Sequence, residues 1–385
     1  MPTVSPLSRF LVLYGGLFAA FGVASPFLPG LLEQDGLSSS TLGIVLGANT
    51  AIRLLAGPLG GRLADRVGHR SLVLAGYAAA SALVATGYAP ARGLVLLLVV
   101  SVAHAAVLAP LTPVADALAL GSAVSPAGFA YGWVRGAGSA AFIAGTLLSG
   151  QLVERAGLGI IVWLNAALLA IAAVLAWGVP DRVAGSALPA PPSLGPWRTL
   201  FGIPVFVRLM GVATLVGGSH ALHDGFEVIR WHAAGLSAGQ SSVLWALSVA
   251  AEVVVFLLAG RPLLRRLGPA GAMTLSALAG AVRWATAANT AAFPVMAMVE
   301  PLHGLTFALL HLTCMDVLGK TVPKALAVTA QAFYATIAMG ATSALVTLAS
   351  GPLYEHLGAA AFWAMAAMCV LAVPLAFGIR PPKVG

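Results

Sequence analysis

Long apolar runs separated by short polar stretches dominate the pattern along this chain. A helix needs about 20 mostly apolar residues to cross a bilayer, and these runs reach that length without the strict alternation of a transmembrane strand. The pattern therefore predicts twelve membrane-spanning helices. The predicted spans are residues 9–32, 41–63, 71–89, 93–117, 128–152, 158–178, 205–229, 239–260, 269–288, 292–316, 325–350 and 359–379.

A polar interruption after the sixth run divides the spans into two sets of six. It contains "PDRVAGSALPAPPSLGPW" (180–197), whose Pro, Ser and Gly content is typical of a linker. We therefore expect an N-terminal half at 1–179, a cytoplasmic linker at 180–203 and a C-terminal half at 204–385.

The two halves repeat short sequences at an offset of about 200 residues. "GLS" at 36–38 recurs at 235–237, and "LSGQLVERAG" (148–157) aligns with "ASGPLYEHLG" (349–358). Two parallel six-helix repeats joined by a cytoplasmic linker are the plan of the major facilitator superfamily, which this chain resembles. The predicted fold class is an all-α membrane protein with that superfamily's fold.

Composition supports the membrane assignment and excludes other classes. The chain is 59% hydrophobic and only 8% charged, whereas soluble domains are about half apolar and a quarter charged. Cys314 and Cys369 lie in apolar runs, so neither a disulfide framework nor a cysteine-based metal site is indicated. The chain contains no GxxxxGK[ST] phosphate loop and no GxSxG nucleophile motif, which argues against a nucleotide-driven pump and against an enzyme. We expect no cofactor and no bound metal.

The net charge of +8 reflects membrane orientation rather than nucleic-acid binding. Basic residues concentrate in alternate loops, as they do on the cytoplasmic side of membrane proteins. With a cytoplasmic N-terminus, the inside positions hold Arg9, Arg62, Arg66, Arg70, Arg182, Arg198, Arg208, Arg261, Arg265, Arg266, Lys320, Lys324, Arg380 and Lys383. We expect a monomer in the cell (inner) membrane with both termini cytoplasmic.

The segment "GGRLADRVGHR" (60–70), between spans two and three, matches the loop signature of the superfamily. We expect its glycines to form a tight turn and its charges to pair with or cap helix ends of the other half, so that breaking these contacts permits alternating access. The residues that carry the match are Gly61, Asp65, Arg66, Gly68 and Arg70.

A narrower resemblance is to the phenylpropionate permease family, which implies proton-coupled uptake of small aromatic acids. It is carried by "YGWVRGAGSAAFIAG" (131–145), "SHALHDGFEVIRW" (219–231), "VRW" (282–284), "LHGLTFALLHL" (302–312) and "TAQAFYA" (329–335).

The stretch "SHALHDGFEVIRWH" (219–232) concentrates ionisable residues in span seven. His220, His223, Asp224 and Glu227 follow i, i+3, i+4, i+7 spacing and should share one helix face. Such a stripe is costly in lipid, so it should face the protein interior or water, where carboxylates and histidines exchange protons. We expect Asp224 to be the main proton carrier, with His220 and His223 tuning it and Glu227 helping to conduct protons to the outer face. Arg230, with His232, is expected to reach outward to water.

Span ten carries a second stripe of Glu300, His303, Phe307, His311 and Cys314. We expect His303 to join the proton-coupling groups, whereas Glu300 is either a cavity group or simply solvated. Glu252 lies within span eight and must be paired, neutral or exposed to a cavity, and we expect it to be a further proton-coupling group. Arg283 is a candidate structural partner for Glu252 or Asp316.

Candidate substrate-binding residues come from both halves. Arg53 and Arg135 could hold a carboxylate through two parallel hydrogen bonds, although an internal ion pair with Asp116 is the open alternative. Asp116, His311, Phe307 and Trp245 complete this set, in which aromatic rings supply apolar contact area.

The sequence thus predicts a proton symporter that takes up a small organic anion, most simply an aromatic carboxylate. The alternatives are a proton-coupled efflux antiporter and a membrane ligand sensor that transports nothing. The expected partners are the small anion, protons and the lipid bilayer, and no nucleic acid.

Overall fold

A computed structural model describes residues 5–124, 128–181 and 197–379 of the chain. The described part of the first half is formed by helices α1 (Pro6–Ala24), α2 (Leu28–Gln34), α3 (Ser39–Val67), α4 (Arg70–Thr86), α5 (Gly93–Leu108), α6 (Leu111–Ala123), α7 (Tyr131–Ala156) and α8 (Ile160–Trp177).

The described part of the second half contains helices α9 (Trp197–Phe201), α10 (Pro204–Gly218), α11 (Ala221–Ala233), α12 (Ala238–Val254), α13 (Gly260–Asn289), α14 (Phe293–Val299), α15 (Leu310–Thr321), α16 (Ala327–Phe333), α17 (Thr342–Leu357) and α18 (Phe362–Phe377). The spans are interrupted by π-helical segments at Val255–Ala259, Gly304–Leu309 and Tyr334–Ala341.

Among the described residues, nine helical stretches are long and apolar enough to cross a membrane. Two of them, Ala238–Asn289 and Lys324–Phe377, contain 52 and 54 residues. A straight helix of that length would measure roughly 80 Å, far more than a hydrocarbon core of about 30 Å. Gly268 and Gly358, with φ of 67° and 54°, interrupt these stretches. The all-helical membrane fold is confirmed. The count reaches twelve only when both stretches are divided and the 17-residue α4 is included.

The chain forms two compact units. Within the described residues, the first unit comprises 5–124, 128–181 and 235–246, and the second comprises 197–234 and 247–379. The domain limits inferred from the sequence stay a prediction. Most of the linker, residues 182–196, lies outside the described residues, as do Arg182, Arg380 and Lys383.

Small residues let α1 and α7 of the first unit pack backbone to backbone. A side chain at Gly22 would collide with the carbonyl of Phe142, and one at Gly145 would collide with the carbonyl of Ala19. The hydroxyl of Thr146 donates to the Gly22 carbonyl at 3.0 Å. Close approach through glycine is how helices gain packing energy in lipid, where water exclusion contributes little.

Each unit contains the same contact between its first and last long helices. Arg9 donates from Nη1 to the carbonyl of Gly178 at 2.7 Å in the first unit, and Arg208 donates to the carbonyl of Gly378 at 2.7 Å in the second. Both carbonyls follow a helix C-terminus, where a cation is favourable. This repeated contact agrees with the internal repeat seen in the sequence.

Candidate functional site

A break between α10 and α11 places His220 at the start of the polar stretch. Gly217, Gly218 and Ser219 precede it, and glycine favours a helix less than other residues except proline. His220 Nδ1 lies 3.2 Å from the Gly217 carbonyl, and Nε2 lies 2.9 Å from Thr306 Oγ1. The buried ring therefore has a hydrogen-bond partner at each nitrogen.

Arg283, on α13, is the centre of a buried polar cluster in the second unit. Its guanidinium and the Glu300 side chain are both 0% exposed, and Nη2 donates to Glu300 Oε2 at 2.5 Å. The hydroxyl of Ser248 also donates to Glu300 Oε2 at 2.5 Å. A buried charge is tolerated only with an opposite charge and further hydrogen bonds, which this arrangement supplies.

His223 lies between two carboxylates and the guanidinium. Its Nδ1 is 3.2 Å from Asp224 Oδ1, whereas its Nε2 is 3.0 Å from Arg283 Nη2 and 3.3 Å from Glu300 Oε2. The ring also lies 5.6 Å from that of Trp284, whose indole donates to Ser219. Charged groups on α11, α13 and span ten thus meet at one imidazole.

His303 connects the cluster to α12. Its Nδ1 lies 3.1 Å from Arg283 Nη1, and its Nε2 lies 3.6 Å from Glu252 Oε2. Its ring stacks on Phe307 with centroids 5.6 Å apart. These residues lie at a turn of 3₁₀-helix, Glu300–Leu302, followed by the π-helix Gly304–Leu309, so the regular spacing assumed for span ten is wrong. Such π segments occur often at functional sites.

Gly304 lets span ten approach α12 closely. A Cβ atom there would lie 2.6 Å from the carbonyl oxygen of Ala251 and 2.9 Å from a methyl of Val255. This contact places the backbone beside His303 directly against the helix that carries Glu252.

The predicted stripe on span seven divides into buried and exposed members. His220, His223 and Glu227 are buried, whereas the Asp224 side chain is 61% exposed. Glu227 accepts a hydrogen bond from Arg230 Nη1 at 3.2 Å. The expectation that Arg230 reaches outward to water is wrong, because Arg230 is buried and lies over the Phe362 ring.

Sequence reasoning underestimated Glu300 and assigned Arg283 the wrong acidic partner. Glu300 is buried rather than solvated, and it is the carboxylate that Arg283 contacts. Asp316 instead pairs with Lys320 at 2.7 Å. The sequence did contain a signal for this pair, because a lone arginine in one span requires a carboxylate at the same depth in another. Ser248 and Thr306, both missed, carry no sequence signal that separates them from other hydroxyls.

A second polar group lies in the first unit. Arg135 Nη1 is 3.7 Å from Asp116 Oδ1, and the Tyr14 hydroxyl donates to the same oxygen. The guanidinium lies 5.1 Å from the centre of the Phe18 ring, which stacks on Tyr14. The ion pair with Asp116, left open by the sequence, is therefore present. The Arg135 side chain is 42% exposed.

Among the other predicted substrate-binding residues, Phe307 belongs to the polar cluster of the second unit. Arg53 is exposed and forms no ion pair within the described part of the chain. His311 Nδ1 lies 3.2 Å from the Tyr334 hydroxyl, and Phe307 contacts the His303 ring. Trp245 is half-buried in the segment that groups with the first unit.

The signature segment 60–70 is mostly helical rather than a loop. Helix α3 continues to Val67, so Gly61 lies in the helix, and the expected turn is made by Gly68 with φ of 73°. Arg70 donates from Nε and Nη2 to Asp65 Oδ1 at 3.0 and 2.6 Å. Arg66 is exposed. The role of this segment in alternating access stays a prediction.

The chemistry available in the second unit is proton exchange at fixed positions. Carboxylates, imidazoles and a guanidinium lie within hydrogen-bonding distance of one another. No group of His, Cys, Asp and Glu suited to a metal ion occurs among the residues that the structure describes.

Comparison with known proteins relates this geometry to a family. The model of the MFS_1-like family matches residues 6–365. The "Probable 3-phenylpropionic acid transporter" of Escherichia coli (strain K12) is 32% identical and covers 98% of both chains. The maltose permease of Geobacillus stearothermophilus is 28% identical over 96% of this chain and 92% of its own. The crystal structure of the nucleoside transporter NupG has a TM-score of 0.80 at 17% identity and covers 98% of both chains.

Proposed function

This chain is a transporter of the MFS_1-like family, and on that premise we propose that it takes up a small organic anion together with protons. The observation that carries this proposal is the cluster of buried His223, Arg283 and Glu300 with half-buried His303. We propose aromatic carboxylates as the substrate class, because a relative of 32% identity bears the name of a 3-phenylpropionic acid transporter.

The cluster supports proton coupling because ionisable groups at membrane depth cost free energy and usually mark functional sites. Histidines and carboxylates in contact exchange protons near neutral pH. In the proposed mechanism Asp224 receives the proton from water, since its side chain is 61% exposed and touches buried His223. Glu252 and His303 form a second carboxylate–imidazole pair, also partly exposed.

The remaining predicted coupling groups have narrower proposed roles. His220 orders the cluster through Thr306, which follows His303 in the π segment. Glu227 tunes it from its buried pair with Arg230.

For the substrate carboxylate we propose Arg135. An anion there would compete with Asp116 for the guanidinium, while the half-buried Phe18, backed by buried Tyr14, offers a ring face of the kind that an aromatic acid packs against. Arg53 is the second proposed cation. His311, Phe307 and Trp245 stay proposed substrate-binding residues.

We further propose the cell (inner) membrane as the location, with both termini cytoplasmic. The support is the concentration of basic residues in alternate loops.

The test compares driven and passive transport of labelled 3-phenylpropionate in proteoliposomes. Wild-type protein should concentrate the acid when the outside is more acidic than the lumen. Asp224→Asn should abolish this uphill uptake yet retain exchange without a gradient, because a neutral mimic separates substrate movement from proton movement.

Asp316→Asn is the matched control, since it makes the same acid-to-amide change at an exposed pair with Lys320 and should leave both modes intact. Uphill uptake by Asp224→Asn would reject Asp224 as the carrier. Expulsion of the labelled acid, or resistance to lipophilic cations, would favour the efflux antiporter. Binding without counterflow would favour the sensor.

A further inference from the structure

Arg283 contacts one ring nitrogen in each of two histidines. A guanidinium only donates hydrogen bonds, so a ring nitrogen that accepts one must be bare. His223 presents Nε2 to Arg283 at 3.0 Å, whereas His303 presents Nδ1 at 3.1 Å. In the neutral ring the proton lies on the other nitrogen. Neutral rings satisfy these contacts with the proton on Nδ1 in His223 and on Nε2 in His303.

Both N–H groups then point at carboxylates that are more exposed than the guanidinium. His223 Nδ1 faces Asp224 at 3.2 Å, and His303 Nε2 faces Glu252 at 3.6 Å. The side chains of Asp224 and Glu252 are 61% and 27% exposed, whereas that of Arg283 is 0% exposed. The basic lone pair of each ring is thus turned inward, onto Arg283.

We infer that Arg283 is the positioning residue that holds His223 and His303 neutral and in opposite tautomers, and that a proton binds to either ring only when the guanidinium releases it. The inference rests on the proposed proton-coupled transport, because release of the histidines by Arg283 would control proton binding during that transport. It explains how one buried cation can link two carboxylate–imidazole pairs.

The surroundings of His223 contain an acceptor for the protonated ring. Protonation of His223 adds an N–H at Nε2. The contact of Nε2 with Arg283 would then bring two hydrogen-bond donors together. Glu300 Oε2 lies 3.3 Å from that nitrogen, and Glu300 Oε1 is buried with no hydrogen-bond partner among the described residues. Binding of one proton therefore exchanges one Arg283–His223 hydrogen bond for one His223–Glu300 hydrogen bond.

The charged and titratable groups around His223 and His303 come from four elements. They are His220, Asp224 and Glu227 on α11, Glu252 on α12, Arg283 on α13, and Glu300 and His303 at the turn before the π segment. Arg283 is the group among them that approaches the bare nitrogens of both histidines.

The decisive measurement is nitrogen NMR of protein labelled with ¹⁵N-imidazole histidine in lipid nanodiscs at neutral pH. The signals of each ring are assigned by their loss in His223→Gln and His303→Gln. We expect a proton on Nδ1 of His223 and on Nε2 of His303. The same tautomer at both positions, or an imidazolium at either, would overturn the inference.

A variant of Arg283 tests whether the guanidinium is what keeps His223 neutral. In Arg283→Gln the repulsive cation is lost while Glu300 remains, so the protonation midpoint of His223 should rise by about one pH unit or more. Arg261→Gln, an exposed arginine on the same helix, is the matched control and should leave it unchanged. An unchanged midpoint in Arg283→Gln would overturn the inference. If that variant fails to fold, the tautomers measured in the wild-type protein decide whether the inference holds.

This measurement separates failure of the inference from failure of the proposed function. The tautomers are observed without substrate or gradient, whereas proton coupling is read from uphill uptake in proteoliposomes. Uphill uptake with the wrong tautomers rejects the role of Arg283 alone. The expected tautomers and midpoint shift, without any proton-driven uptake, support the positioning by Arg283 and reject the proposed function.

Discussion

At the scale of single residues, Glu300 decides whether Arg283 can remain buried. It is the carboxylate in direct contact with a guanidinium that has no exposed surface. We expect Glu300→Gln to destabilise the folded protein by about 3–5 kcal/mol, the usual cost of leaving one charge of a buried pair uncompensated. The measurement is the apparent melting temperature of the purified protein in detergent.

The matched control is Asp316→Asn, which makes the same chemical change at a partly exposed pair. Asp316 and Lys320 have side chains that are 27% and 44% exposed, and such pairs contribute roughly 0–1 kcal/mol. Equal melting temperatures for the two variants would show that the buried pair contributes no more than the exposed one.

At the scale of elements, the π segment Gly304–Leu309 sets the distance between span ten and α12. Gly304→Ala would place a methyl 2.6 Å from the Ala251 carbonyl oxygen, and the backbone must shift to accommodate it. We expect a loss of about 1–3 kcal/mol of stability, as for other overpacked sites. Because His303 precedes this glycine, proton-driven uptake should fall as well. Thermal unfolding and uptake in proteoliposomes measure the two effects.

Gly319→Ala is the control within the same helical stretch, Phe293–Thr321. Gly319 lies in α15, and nothing lies within 4 Å of a Cβ atom built there. Alanine is favoured over glycine in a helix by about 1 kcal/mol, so this variant should keep uptake and equal or exceed the wild-type stability. Similar behaviour of both variants would contradict a special role for close approach at Gly304.

At the scale of the whole molecule, orientation in the membrane is directly testable. Both native cysteines, Cys314 and Cys369, are 0% exposed, so the unmodified chain should react little with a membrane-impermeant maleimide. We expect Gln34→Cys, at the exposed last residue of α2, to be labelled in intact cells. Ser8→Cys, near the N-terminus, should be labelled only after permeabilisation, because basic loops stay on the cytoplasmic side. The reverse pattern would invert the proposed topology.

The sequence by itself determined the class of the molecule. Apolar runs of bilayer length admit only structures that satisfy their own backbone hydrogen bonds, and runs without alternation admit helices. The same pattern grouped His220, His223 and Asp224 on one helix face, but in the structure the two histidines are buried and the Asp224 side chain is exposed. The short repeats between the halves are matched by the paired contacts of Arg9 and Arg208.

Only the tertiary structure decided which charged residues contact one another. Local spacing could not show that Arg283 contacts Glu300 rather than Asp316, since these residues lie on different elements. The prediction from spacing also required a regular helix through Glu300 and Phe307, where the chain forms 3₁₀ and π turns. A buried charge selects its partner by depth and direction in the folded unit, and neither quantity is encoded in the spacing of one segment.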